Sequence, residues 1–179
     1  MFGGPDDRDR EFTEYYVARG SRLRATAYLL CGDWHQAEDL TQITFAKLYR
    51  NWRRIAHREV LDAYARKVLL RAFLDERRRP WRREHITGHD SPELDYAVDA
   101  VDVESRMVLR AALLALPARQ RAVLVLRFWE DLPVQQVAEL LGLATGTVKS
   151  LSARGLNRLR AALDTDDANQ DRRLLEGLR

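Results

Sequence analysis

The stretch from Thr145 to Arg160 carries Thr145, Thr147, Lys149, Ser150, Arg154 and Arg158 and contains no acid. Lys and Arg hydrogen-bond guanine edges, and hydroxyls or backbone N–H groups hold phosphates, so this is the chemistry of duplex DNA contact. A second concentration of base lies between Lys47 and Arg83, where thirteen Lys and Arg face Glu59, Asp62, Asp75 and Glu76, a local balance of +9. Trp52 and Tyr64 are interleaved with it. Cations plus aromatic faces suit single-stranded nucleic acid, with arginines for phosphates and ring faces for unstacked bases. Nucleophilic and metal chemistry find no comparable grouping. There is no Ser/His/Asp spacing and no glycine-rich phosphate loop, and His35, His57, His85 and His89 are dispersed. Cys31 is the single cysteine, so it closes no internal disulfide and completes no zinc-ligand spacing. Buried packing at a helix end is its expected role. The expectation is a binding protein that is not an enzyme and uses no cofactor or metal.

Helices must position these groups. Between Asp33 and Leu141 the only glycine is Gly88, and long runs rich in Ala, Leu and Arg favour helix. Alternation of apolar and polar residues is absent, so no strand is expected. A first helix spans 9–30, with Phe12, Tyr15, Tyr16, Leu23, Ala27 and Leu30 at helical spacing and Gly20 weakening its middle. Asp33 is a good N-cap for a second helix to about Trp52, whose apolar face is Ala37, Leu40, Ile43 and Leu48. A third runs from about Arg58 to Arg79, and Pro80 stops it. In the second half, helices are expected at 104–116, 119–129, 134–141 and 145–163, punctuated by Pro117, Pro133 and Gly142. The last two, joined by the turn at Gly142, fit a helix-turn-helix with Val137, Ala138, Leu141 and Val148 as its small core.

The 179 residues carry a formal net charge of only +3, with 46% hydrophobic and 32% charged residues, the profile of a globular chain rather than a disordered one. That total conceals segregation. From Glu84 to Glu104 there are seven acids and no base, and from Arg106 to Leu163 nine bases face three acids. Two basic blocks suggest two polyanion contacts. The acidic stretch, with Gly88, Ser91 and Pro92, reads as a linker. No apolar run approaches the roughly 20 residues that span a bilayer, and the N-terminus lacks a signal-peptide core, so a cytoplasmic protein without membrane insertion is expected.

Leu116–Arg160, LPARQRAVLVLRFWEDLPVQQVAELLGLATGTVKSLSARGLNRLR, resembles region 4 of extracytoplasmic-function (group 4) sigma factors of the sigma-70 family. Ala37–Trp52, AEDLTQITFAKLYRNW, resembles region 2.2 and the start of region 2.3, and Tyr64–Arg79 resembles region 2.4. The resemblance implies an all-α protein of two small helical domains, a sigma-2-like bundle at 9–83 and a sigma-4-like helix-turn-helix domain at 104–163. An acidic linker at 84–103 joins them, between a disordered N-terminus at 1–8 and a C-terminal tail at 164–179.

By that resemblance the chain binds core RNA polymerase and directs promoter-specific initiation. Docking on the β′ clamp helices falls to Glu38, Asp39, Gln42 and an exposed Phe45. Recognition and melting of the −10 element falls to Asn51, Trp52, Arg53, Arg54, Tyr64, Arg66, Lys67 and Arg71. Reading of the −35 element falls to Thr145, Thr147, Lys149, Ser150, Ala153, Arg154 and Arg158. The apolar face around Val123, Leu126 and Phe128 is the candidate for the β flap, with core packing as its other reading. A cognate anti-sigma factor is a further expected partner. Three positions depart from the family pattern: Arg71 stands where asparagine is frequent, Leu151 replaces a basic or polar residue, and Gly155 replaces alanine at a helix cost of about 1 kcal/mol. A stand-alone helix-turn-helix regulator that binds duplex DNA as a dimer is the alternative.

Overall fold

The computed structural model describes residues 5–55, 58–77 and 103–176. The chain divides into two compact units, and every regular element among the described residues is helical. The acidic segment expected at 84–103 lies outside them except for Val103, which opens a helix.

The first unit consists of α1 (Pro5–Cys31), α2 (Trp34–Asn51), a 3₁₀ turn (Trp52–Arg54) and α3 (Arg58–Arg77). Gly32 ends α1 in the left-handed region at φ 77°, a conformation open to glycine at little cost, and its N–H closes onto the Tyr28 carbonyl. One residue later Asp33 caps α2 as expected, its Oδ1 accepting from the Gln36 N–H at 2.7 Å. Leu30, Leu40, Leu48, Leu69 and Phe73 from the three helices form the fully buried centre.

The apolar face of α2 is rotated from the expected one. Its buried residues are Ala37, Leu40, Thr41, Thr44, Phe45 and Leu48, and Ile43 is 38% exposed. The stripe runs i, i+3, i+4, i+7, i+8, which holds position 45 and leaves out 43. Two threonines enter it because their hydroxyls donate to the carbonyls of Ala37 and Leu40, so no polar atom there is stranded.

From Val103 onward the chain forms α4 (Val103–Ala115), α5 (Ala118–Leu124), a π turn (Val125–Trp129), α6 (Val134–Leu141) and α7 (Thr145–Glu176), of which α4, α5, the π turn and α7 lie in the second unit. The guanidinium of Arg121 is buried and donates to the carbonyls of Leu114 and Leu116, satisfying the end of α4. Beyond Leu124 the helix widens, and the Glu130 N–H closes onto the Val125 carbonyl, five residues back. Gly142 turns the chain at φ 63°, and the Leu143 N–H returns to the Ala138 carbonyl. Val137, Ala138 and Val148 pack beneath that turn, while Leu141 is only half-buried.

Two helices outrun their expected bounds. α1 begins at Pro5 rather than at residue 9, with proline suited to a first helical turn. α7 continues to Glu176 rather than ending near Leu163, because no glycine or proline interrupts 156–176.

Candidate nucleic-acid and protein interfaces

In the second unit, α7 lays its buried side against α4 and α5, with Gly155 meeting Leu124 of α5 and Val148 fully buried. Seven expected DNA-facing residues, Thr145, Thr147, Lys149, Ser150, Ala153, Arg154 and Arg158, are all exposed on it. Its N-terminal turn carries Thr145, Thr147 and Lys149, the part of a recognition helix that enters a major groove. Arg154 Nε donates to the Ser150 carbonyl at 3.3 Å, which lays the guanidinium back along the helix. Arg158 Nη1 reaches Gln120 of α5 at 3.2 Å, so one edge of that guanidinium is held by the protein. Nothing in the spacing pointed to Gln120, a buried side chain 38 residues away in sequence.

In the first unit, Asn51, Arg53 and Arg54 leave the end of α2 and the 3₁₀ turn, and Tyr64, Arg66, Lys67 and Arg71 lie on α3. Asn51 joins the two elements, its Nδ2 donating to the Lys47 carbonyl at 2.8 Å and to the Tyr64 hydroxyl at 3.1 Å. Arg53, Arg54, Lys67 and Arg71 are exposed; Asn51, Tyr64 and Arg66 are half-buried.

Trp52 does not present its ring to solvent as a stacking platform for a base. It is 8% exposed, edge-on to Phe12 and Tyr15 at centroid distances of 5.3 and 5.5 Å, with its Nε1 toward Glu11 at 3.4 Å. A flat apolar ring beside two other rings gains more from edge-to-face packing than from exposure. Trp52 therefore supports the 3₁₀ turn from within.

Phe45 is likewise a correction. It is 4% exposed, packed against Tyr16 at 4.7 Å, Phe12 at 6.1 Å and Tyr15 at 6.3 Å. Of the expected docking set, Glu38, Asp39 and Gln42 are exposed, and Ile43 supplies the apolar surface between them. In the second unit Val123 and Leu126 are fully buried, whereas Phe128 is 58% exposed at the π turn.

Two further groups bear on these surfaces. Tyr15 donates its hydroxyl to Asp62 at 2.8 Å, and Arg19 pairs with the other Asp62 oxygen at 3.1 Å, tying α1 to α3. Burial and the Asp62 carboxylate push the Tyr15 hydroxyl well above its ordinary range. Burial lifts the Cys31 thiol to about 12, and its Sγ lies 3.1 Å from the Asp33 carbonyl. Such a thiol is a packing group rather than a nucleophile.

A disordered N-terminus is expected at 1–8, yet Arg8 packs on the folded unit. Arg8 donates to the Tyr49 carbonyl at 2.8 Å and stands 3.9 Å over its ring, and the Tyr49 hydroxyl donates to Asp9 at 2.8 Å. The row Phe12, Tyr15, Phe45, Tyr49 and Trp52 was the available signal, since its members recur at helical spacing on both sides of the contact.

Comparison with known proteins places the same segments together. Residues 15–83 match the family described as sigma-70 region 2, and residues 112–161 match sigma-70, region 4. An RNA polymerase sigma-E factor of Streptomyces avermitilis is 36% identical over 169 residues, spanning 93% of this chain and 91% of that one. The ECF RNA polymerase sigma factor SigE of Mycolicibacterium smegmatis is 33% identical over 148 residues, 78% of this chain and 56% of that one. Among solved structures, the sigma factor RpoE from Bartonella quintana, in complex with the anti-sigma factor NepR, aligns with a TM-score of 0.70 at 26% identity. It covers 88% of this chain and 99% of that chain.

Proposed function

Since the chain belongs to the extracytoplasmic-function sigma factors of the sigma-70 family, we propose that its two helical units divide promoter recognition between them. The chain is a sigma factor that binds core RNA polymerase and directs initiation from particular promoters, and it acts in the cytoplasm beside the polymerase. Its relatives are transcription initiation factors, and its own contribution is binding rather than bond-making.

The observation that carries this reading is the order of the two matched segments, 15–83 then 112–161, each coinciding with a helical unit that exposes arginines and lysine. α7 reads the −35 element through Thr145, Thr147, Lys149, Ser150, Ala153, Arg154 and Arg158. Asn51, Arg53, Arg54, Tyr64, Arg66, Lys67 and Arg71 contact the opened −10 element, with Trp52 as their support. Glu38, Asp39, Gln42 and Ile43 meet the β′ clamp helices, and Phe128 meets the β flap. The functional domains are taken as 9–83 and 104–163, with the acidic segment 84–103 as tether. The anti-sigma complex of the Bartonella quintana relative supports a cognate anti-sigma factor here.

Run-off transcription with core polymerase across genomic DNA tests the reading. The expected result is a discrete set of start sites sharing −10 and −35 sequences. A stand-alone regulator would instead bind duplex DNA tightly without core polymerase, as a dimer on a two-fold site. Gel shifts with and without core polymerase separate the two.

A further inference from the structure

We infer that Arg8 is a positioning residue for promoter opening, holding the junction where α2 becomes the 3₁₀ turn that carries Arg53 and Arg54. The inference rests on the −10 role proposed for that turn. Arg8 lies ahead of residue 15, where the match to sigma-70 region 2 begins.

The carbonyl of Tyr49 is the pivot. It accepts the Trp52 N–H, which starts the 3₁₀ turn, and also Arg8 Nη2 at 2.8 Å. The last carbonyls of a helix lack intrahelical donors, and a cation there is favoured by the helix dipole. A guanidinium donor makes this a charge-assisted bond, stronger than a neutral one. The side chain of Tyr49 is held as well. Arg8 Cζ is 3.9 Å above the ring, Phe12 meets it edge-on at 5.0 Å, and Asp9 accepts from the hydroxyl at 2.8 Å. Phe12 also touches Trp52 at 5.3 Å, so the same turns of α1 brace both sides of the junction.

Arg53 and Arg54 project from this turn into solvent. Capture of unstacked bases needs their guanidinium groups already aimed, because each rotamer frozen on binding costs affinity. With Arg8 removed, the Tyr49 carbonyl loses its charged donor, and the junction keeps only the ring packing and the Asp9 and Glu11 contacts to α1. DNA opening suffers, while the exposed residues Glu38, Asp39 and Gln42 on α2 are unaltered.

The test uses full-length chain reconstituted with core polymerase, as native, Arg8→Ala and Arg8→Lys. The DNA is one promoter recovered by the run-off mapping, as duplex and with its −10 region premelted by mismatches. Thymine reactivity to permanganate reports opening, and competition titration reports core binding. Arg8→Ala is expected to open the duplex about tenfold less well, the change carried by one charge-assisted hydrogen bond. Core binding and use of the premelted template stay at the native level, and Arg8→Lys recovers most of the opening. Native-level opening by Arg8→Ala overturns the inference. So does a parallel loss of core binding, or an equal loss on the premelted template, since either marks a general structural role. If the native chain opens no promoter, the −10 reading fails and the inference that rests on it is overturned with it.

Discussion

Gly155 of α7 lies directly against Leu124 of α5. A Cβ placed on Gly155 would stand 3.1 Å from both Cγ and Cδ1 of Leu124 and 3.4 Å from Cδ2. Leu124 is 3% exposed and flanked by buried Val123 and Val125, so it has little room to withdraw. The glycine that weakens α7 in isolation therefore lets the recognition helix approach its support.

Gly155→Ala tests that trade. Helix propensity alone favours alanine by about 1 kcal/mol, but overpacking a fixed neighbour costs roughly 1–3 kcal/mol. Urea unfolding is expected to show a net loss of about 1 kcal/mol in the native background. In a Leu124→Ala background the same substitution is expected to stabilise by about 1 kcal/mol. A stabilising effect in both backgrounds would show that the approach is slack.

Arg121 gives a second stability prediction. Its Nη2 serves two carbonyls, Leu114 and Leu116, at 2.8 and 3.1 Å, in a site where the residue is 2% exposed. Arg121→Met leaves those oxygens without this donor and should cost about 2–3 kcal/mol in urea unfolding. Arg121→Lys should recover only part, since an ammonium is more strongly hydrated than a guanidinium, and its burial therefore costs more. Full recovery by lysine would mean that charge alone matters there.

Much of this was legible in the sequence where a strong local rule applied. Asp33 capped α2 and Gly142 made the helix-turn-helix turn, because each position admits few residue types. The exposed basic side of α7 was legible because an acid-free run on a helix must put most of its charge outside. Phe45 and Trp52 were misjudged for a tertiary reason. Their burial depends on rings delivered by α1, Phe12, Tyr15 and Tyr16, which spacing within α2 cannot reveal. The reason for Gly155 was out of reach in the same way, since it is Leu124, 31 positions earlier in the chain. The first turn of α1 falls within the disordered N-terminus expected at 1–8 because the partner of Arg8 is Tyr49, 41 positions later in the chain.

Cys31 predicts a pH dependence. Its thiol is raised from an ordinary 9.0 to about 12, chiefly by burial. The folded chain therefore holds its proton at pH values where the unfolded chain releases it. The thiol's contribution is fully present below pH 9.0 and is lost as the pH rises toward about 12. Stability measured by urea unfolding should thus fall above pH 9.0, and less steeply in Cys31→Ala. Native chain at neutral pH should also resist iodoacetamide until denatured. Rapid alkylation of the folded chain would contradict a buried, protonated thiol.

Arg154 and Arg158 should separate sequence reading from phosphate contact. Both are exposed on α7, but Arg158 has one guanidinium nitrogen on Gln120 at 3.2 Å, which fixes it at the flank of the helix. A side chain so tethered suits a fixed phosphate, whereas Arg154, hydrogen-bonded only within its own helix at 3.3 Å, can swing to a base edge. Arg158→Ala in the holoenzyme is expected to weaken promoter binding about equally across −35 variants and to reduce the log–log salt slope by about 1. Arg154→Ala is expected to relax preference at one −35 position by about 1–3 kcal/mol. Gln120→Ala should then reproduce part of the Arg158 effect, because it removes the tether but leaves the charge. If Arg158→Ala instead changes which −35 bases are preferred, the tether serves base reading and the division between the two arginines is wrong.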